Sequence, residues 1–319
     1  MTSPPPRVSV CIRTFDRPRA LHAAIASVLD QSYENLEIVV SDDSGRHGNV
    51  ARAFDDQRVR YHPNPRPAGA TANLLHAVGH ARGQLLAVLD DDDRWLPSFL
   101  ATVVARFDDD PQLGVVFTGQ HWIAGGRRIP RSLPCTAGRH DTMLQAILDH
   151  SIPPSAALMR REAWEQGERQ LPLRPDMAGA LTVWLRTAAA GWPFYYVDEP
   201  LAEYCLHSGQ MSWSGTDASA RCARTLACFS FPDEETERLR RARLAEALLT
   251  QAGLQLRHGR VRPGGRLIRH AAAVSPAALT IRGMLAVSGV RRPLAHFVAG
   301  HPRALAAALP VWGRLRPRI

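Results

Sequence analysis

Short β-branched runs alternate with segments of helical periodicity over the first hundred residues, and this alternation constrains the chain more than any other feature. Val8–Thr14 (VSVCIRT) reads as a strand, and Pro18 opens a stretch with Leu21, Ile25, Val28 and Leu29 at helical spacing. Glu37–Ser41 (EIVVS) repeats the strand pattern, Val59–His62 and Leu85–Leu89 (LLAVL) add two more strands, and Ala70–His80 supplies a helix between them. The alternation predicts an α/β fold with a mostly parallel, Rossmann-like sheet flanked by helices. Ligands of such sheets bind where loops converge at the carboxyl ends of the strands. Here those loops are Thr14–Asp16, Asp42–Ser44 and Asp90–Asp93.

From Gly114 onward the pattern becomes mixed. Strands are expected at Val115–Thr118, Ala156–Met159, Tyr195–Val197 and Leu201–Leu206, helices at Met143–Asp149 and Ala178–Ala190, and a Gly- and Arg-rich loop at Gly125–Arg131. After Ser214 the strand signal disappears. Glu234–His258 reads as helix, Arg260–Gly265 as a turn around Pro263, and Arg266–Ala273 as a second helix ending near Ser275-Pro276. The expected organisation is an α/β domain over 1–215, with halves 7–110 and 111–215, and a helical C-terminal appendage over 216–319.

Hydrophobic content of 45% and charged content of 22% suit a globular chain rather than a disordered one. No run of 18 apolar residues occurs, and Pro4-Pro5-Pro6 stands where a leader would need an apolar stretch, so the expected location is cytoplasmic. The five cysteines lack the paired short spacings of a zinc site. The net charge of +9 is uneven: residues 236–319 hold 16 arginines against Glu237 and Glu246. Every basic residue is arginine, which points to coding bias as much as to a polyanion partner. No nucleic acid is therefore expected, while peripheral membrane contact through the Arg-rich C-terminus stays open beside a solvated helical appendage.

Four consecutive aspartates after an apolar strand repel one another unless solvent or a cation relieves them. Mg²⁺ or Mn²⁺ held by one or two carboxylates completes its shell with phosphate oxygens, which implies a nucleoside diphosphate. For the run in isolation, a solvated helix-capping loop is an equal alternative.

The surrounding residues add a resemblance. RTFDRPRALHAAIASVLDQSYENLEIVVSDDSG followed by PAGATANLLHAVGHARGQLLAVLDDDDRWLP resembles the nucleotide-binding half of family 2 glycosyltransferases of the GT-A fold, and the likeness extends over roughly residues 7–213. It implies a nucleotide-binding half at 7–110, an acceptor side at 111–215, a UDP- or dTDP-type sugar donor, and Mn²⁺ or Mg²⁺. It places Thr14 and Asp16 beside the nucleotide, Asp42 against the base, and Gly69 and Asn73 beneath the diphosphate. Asp90 and Asp92 match the ends of the DxD motif, Asp92 toward the metal and Asp90 or Asp91 toward the ribose. Trp95 and Pro97 match a structural continuation that packs the next helix. IPPSAALMRREAWEQG and VWLRTAAAGWPFYYVDEPLAEYCLHSGQMS resemble the acceptor side and the domain's tail, with His207 placed near the metal and Ser212 near the diphosphate.

The chain departs from the pattern at one place: Gly179 and Ala180 stand where the family carries the acidic pair that supplies the general base. An inverting transfer needs a base for the acceptor hydroxyl. Asp176 can substitute if the helix extends back one turn to place it on the same face, and a helix N-cap is its structural alternative. Glu203 is a weaker candidate. A non-catalytic nucleotide-sugar binding protein is the rival reading. A nucleotidyltransferase fits poorly, because Arg13-Thr14-Phe15-Asp16-Arg17 lacks the glycines of a phosphate loop. Nothing in the sequence names the acceptor or the oligomeric state.

Overall fold

A computed structural model describes residues 5–150, 152–207 and 216–279. Along the chain these form β1 (Val8–Thr14), α1 (Pro18–Leu29), β2 (Leu36–Asp42), α2 (Gly48–Arg52), β3 (Val59–Pro63), α3 (Ala70–His80), β4 (Leu85–Asp90), β5 (Arg94–Trp95) and α4 (Phe99–Asp109). There follow β6 (Val115–Ala124), β7 (Arg127–Arg131), β8 (Gly138–His140), α5 (Leu144–Asp149), a 3₁₀ turn at Pro154–Ala156, β9 (Ala157–Arg160), α6 (Arg161–Gln170), α7 (Gly179–Ala189) and β10 (Phe194–Cys205). Helices α8 (Thr216–Ala227), α9 (Glu234–Arg257) and α10 (Val261–Val274) and a 3₁₀ turn at Pro276–Leu279 close the described chain.

The fold is α/β, with one sheet in the order β3-β2-β1-β4-β9-β6-β10-β5 and with β7 and β8 added beside β6 and β10. Its parallel part is β3-β2-β1-β4. The β4–β9, β6–β9, β10–β8 and β10–β5 pairings are antiparallel. Strand β2 is buried along its whole length and β1 along nearly all of it, as expected for strands covered on both faces. Pro18, with its fixed φ, starts α1, whose Leu21, Ala24, Ile25 and Val28 pack onto the sheet. Phe99, Val103 and Phe107 of α4 join the same core.

Two compact units divide the chain, Met1–Trp122 with Ile129–Cys205, and Ile123–Arg128 with Leu206–Ile319. In the second unit α9 packs along both α8 and α10. Asp233 caps α9 by accepting from Thr236 N at 2.7 Å. Arg240, nearly buried, donates to Leu226 O at 2.8 Å and pairs with Glu237, which also binds Arg241. Part of the arginine excess is thus spent inside the helical unit. Among the described residues no helix is long and apolar enough to cross a membrane.

Three local expectations need correction. The stretch Gly125–Arg131 is a hairpin rather than a loop: Gly125 and Gly126 take φ of 55° and 77°, the left-handed pair of a two-residue turn, and β7 follows. The two strands expected at 195–206 are the single strand β10. Pro200 falls between the residues paired with β8 (Phe194–Tyr196) and those paired with β5 (Ala202–Glu203), so its missing N–H breaks neither ladder. The turn expected at Arg260–Gly265 is the first turn of α10, where Pro263 withholds an N–H that has no intrahelical acceptor. Helix α8 lies within the helical region expected over 216–319, ahead of the helices placed there individually.

Candidate active site

Strand register assembles the site. Thr14 of β1 is level with Asp42 of β2, and Arg13 of β1 with Asp90 of β4, so the three loops expected to converge leave the sheet side by side.

Within the aspartate run the four carboxylates separate. One oxygen each from Asp90, Asp92 and Asp93 lies within 4.8 Å of the others, the one such metal-competent group among the described residues. Asp91 stands outside that group: it is 1% exposed and accepts from Thr14 Oγ1 at 2.5 Å. Burial pushes its carboxyl up to about 7, opposed by Arg17 and the Thr14 hydroxyl. Asp93 is also buried, accepts from Cys205 N at 3.2 Å, and is raised well above the carboxylate range by burial and by Asp90. Two arginines meet the run. Arg13 Nε donates to Asp90 Oδ1 at 2.6 Å, and Arg17 reaches Asp91 at 2.7 Å and Asp92 at 2.5 Å. Ser155 fastens the loop from β9's side: its hydroxyl accepts from Asp90 N at 3.2 Å and its carbonyl from Trp95 Nε1 at 2.6 Å. Trp95 is buried and stacks on Phe99 at 4.4 Å between ring centroids, a packing role.

The β2 loop is ordered by two carboxylates. Asp42 is fully buried and accepts from Ser44 N and Oγ on one oxygen, and from His47 N and Tyr61 OH on the other. Burial acts to raise its pKa, and these four bonds outweigh it, so the net shift is downward. Asp43, 5% exposed, accepts from Asn64 Nδ2 and Ala68 N at 2.8 Å each, and from Gly69 N at 2.9 Å. It thereby holds the segment that leads into α3. Gly69, at φ 85°, occupies a backbone region closed to most side chains. Asn73 donates to Thr14 O at 3.1 Å and accepts from Asn64 at 3.1 Å. Thr14, Gly69 and Asn73 therefore belong to one hydrogen-bonded network.

Other expected residues lie apart from that network. Asp16, at φ 57°, is half exposed and bridges to Arg46 at 2.9 Å and His47 at 3.0 Å, linking the β1 and β2 loops. Asp176 is half exposed, 3.4 Å from Arg174 Nε, and precedes α7, whose N-cap is Ala178. The helix does not extend back to it, so neither the shared helix face nor the N-cap describes its position. Ala180 instead lines a small apolar cavity of about 30 Å³ with Arg13, Leu74, Val88, Val183 and Trp184. Glu203 lies on β10, level with Arg94. His207 is half buried, two residues beyond β10, and belongs to the second unit. Ser212 lies outside the described residues.

Sequence reasoning had passed over Asp43, Arg13, Arg17 and Ser155. Asp43 had a signal, since it stands beside Asp42 in the same turn. Arg13 had one in its register position opposite Asp90 on a parallel strand pair, whereas Arg17, ahead of α1, had none. Ser155 had none.

Residues 9–167, about half the chain, match the family model described as Glycosyl transferase family 2. Among curated proteins, the chain is 33% identical over 109 residues to the GalNAc(5)-diNAcBac-PP-undecaprenol beta-1,3-glucosyltransferase of Campylobacter jejuni, covering 33% of this chain and 35% of that protein. The chain thus spans about a third of that relative's length. Among solved structures, S. aureus TarS 1-349 in complex with UDP-GlcNAc superposes with a TM-score of 0.68 at 14% identity, over 92% of this chain and 90% of that one. The mannosyltransferase PcManGT from Pyrobaculum calidifontis, in complex with GDP-Man and Mn²⁺, does so with a TM-score of 0.50 at 15% identity, over 96% and 87%. At these identities the structural likeness establishes the fold.

Proposed function

We propose, for a chain that belongs to the family 2 glycosyltransferases, that it moves a sugar from a nucleotide-diphosphate donor to an acceptor hydroxyl with inversion, using Mn²⁺ or Mg²⁺. One observation carries the reading: the grouped oxygens of Asp90, Asp92 and Asp93 stand beside the Thr14–Asn73–Asp43 network at the carboxyl edge of the parallel strands. The donor set is all carboxylate oxygen, which suits a hard divalent ion. The ligand set we propose is accordingly Asp90, Asp92 and Asp93, in place of Asp92 with His207. When bound, the ion would offset charge developing on the departing diphosphate.

The chain's own residues divide the remaining work. Asp43 holds Gly69 and the start of α3 so that backbone N–H groups and Asn73 border the diphosphate. Asp42 already accepts four hydrogen bonds, the capacity of a carboxylate, and so shapes the base pocket rather than bonding the base. Asp16 borders the nucleotide from the β1 loop, and Asp91 anchors the aspartate loop to Thr14 rather than reaching the ribose. Asp176, exposed in the turn before α7, is the proposed base for the acceptor hydroxyl. A UDP- or dTDP-type donor follows from the family resemblance, and TarS itself is in complex with UDP-GlcNAc. The domain 1–215 is proposed to be the catalytic part and 216–319 its helical appendage.

A second reading, a nucleotide-sugar binding protein without turnover, draws on Gly179 and Ala180, which place no carboxylate at the start of α7. One experiment separates the readings: a thermal-shift panel of nucleoside diphosphates and their sugars with Mn²⁺, followed by donor hydrolysis assays of the stabilising compounds. Stabilisation with Mn²⁺-dependent hydrolysis that Asp92→Ala abolishes supports the transferase. Stabilisation without hydrolysis supports the binding protein, and full turnover in excess chelator removes the metal from the mechanism.

A further inference from the structure

The two arginines at the aspartate loop differ in how they are held. Arg13 belongs to the β1 ladder, is mostly buried, and meets Asp90 from within the sheet. Arg17 precedes α1, is 37% exposed, and spreads its guanidinium across two carboxylates, with Nη2 at 2.7 Å from Asp91 and Nη1 at 2.5 Å from Asp92. The planar fork suits such bridging, which a lysine's single ammonium cannot reproduce. Asp91 is fixed, since it is buried and bonded to Thr14, whereas Asp92 shares the grouped oxygens with Asp90 and Asp93. A cation arriving at Asp92 therefore meets a guanidinium already on that carboxylate.

We infer that Arg17 is a built-in counter-ion of the aspartate loop, which competes with a divalent metal for Asp92 and turns to the donor's diphosphate when metal and nucleotide bind together. This rests on the donor and metal reading proposed above. Asp91 is the pivot that keeps the guanidinium at the site in both arrangements, which gives that carboxylate a use apart from metal ligation. The physical consequence is coupling. Metal alone must displace or tolerate a nearby positive charge, while the diphosphate supplies negative charge to both, so each ligand tightens the other. Reciprocity requires the same factor in both directions.

The test is Mn²⁺ binding to the full chain, followed by electron paramagnetic resonance, with and without UDP. The wild type is expected to bind Mn²⁺ weakly alone and about tenfold more tightly with UDP. Arg17→Gln is expected to bind Mn²⁺ alone about tenfold more tightly than the wild type and to lose most of the UDP effect. Arg17→Lys keeps the charge without the two-carboxylate bridge and is expected to bind Mn²⁺ alone with an affinity between those of the wild type and Arg17→Gln, which also controls for damage to the fold at this position. Equal Mn²⁺ affinity of Arg17→Gln and the wild type overturns this inference while leaving the metal site intact. No Mn²⁺ uptake by any of the three proteins overturns the metal in the proposed function and this inference with it.

Discussion

Arg13 and Asp90 are register partners on adjacent parallel strands, joined by a hydrogen bond of 2.6 Å between Nε and Oδ1. Their side chains are 19% and 24% exposed, so neither charge is well hydrated once the other is removed. Breaking such a pair from one side strands a charge, whereas removing both does not. Asp90→Asn is expected to cost about 1–3 kcal/mol in urea unfolding, and Arg13→Met with Asp90→Asn to recover at least half of it. Strict additivity of the single changes in the double mutant would show that the pair carries no coupling.

Asp43 is the second residue whose work can be isolated. Its three hydrogen bonds hold the segment from Asn64 to Gly69, and an amide in its place would turn a donor toward at least one N–H. Asp43→Asn is expected to raise the donor KM about tenfold with a smaller change in kcat, and to lower stability by about 1–2 kcal/mol. A kcat loss larger than the KM change would place Asp43 in the chemistry instead.

Kinetics test Asp176 as the proposed base. Asp176→Asn is expected to lower kcat at least about a hundredfold while nucleotide affinity, measured by calorimetry, stays within about twofold. Unchanged turnover would remove Asp176 from catalysis and turn attention to Glu203.

Three histidines packed together on β3 and α3 make folding stability depend on pH. The His62 and His80 rings stack at 3.8 Å, His76 packs on His80 at 4.8 Å, and Ser41 bonds His76 Nδ1 at 2.8 Å. Burial pushes His62 down to about 4, helped by His80, Arg60 and His76 and opposed by Glu37. An unfolded chain takes up that proton near pH 6.5, so this group's contribution to folding is lost as pH falls from there toward 4, with no loss above it, while Asp91, raised to about 7, contributes with the opposite sign as pH falls below that value. At pH 5 the loss from this group is at most about 2 kcal/mol relative to pH 7.5. His62→Gln is expected to raise the urea midpoint at pH 5 relative to that at pH 7.5 when each is compared with the wild type, since the opposing carboxyls are common to both proteins. The same pH dependence in the variant would assign it to other groups.

What was legible in the sequence depended on whether a pattern existed to read. Val8–Thr14, Leu36–Asp42 and Leu85–Asp90 are apolar runs ending in polar turns, so their strands and the convergence of their loops followed from periodicity. The four aspartates drew attention as a group, yet identical neighbours carry no information on direction. Asp91, outside the metal-competent group, is bonded to Thr14, 77 positions away in sequence. Arg17 read as an ordinary residue ahead of a helix, because its partners come from another strand's loop. Asp176 depended on where α7 begins, and the three residues Met177–Gly179 offer no side-chain cap that would have fixed that point.

Ser155 joins the β4 loop to the 3₁₀ turn before β9 through both its hydroxyl and its carbonyl, and it is 2% exposed. Two stretches about 60 residues apart are therefore riveted at one buried point. Drift in the segment before β9 would displace the aspartates before it altered anything of its own. The turn before β9 is thereby held to the geometry of the aspartate loop, and the two can shift only together.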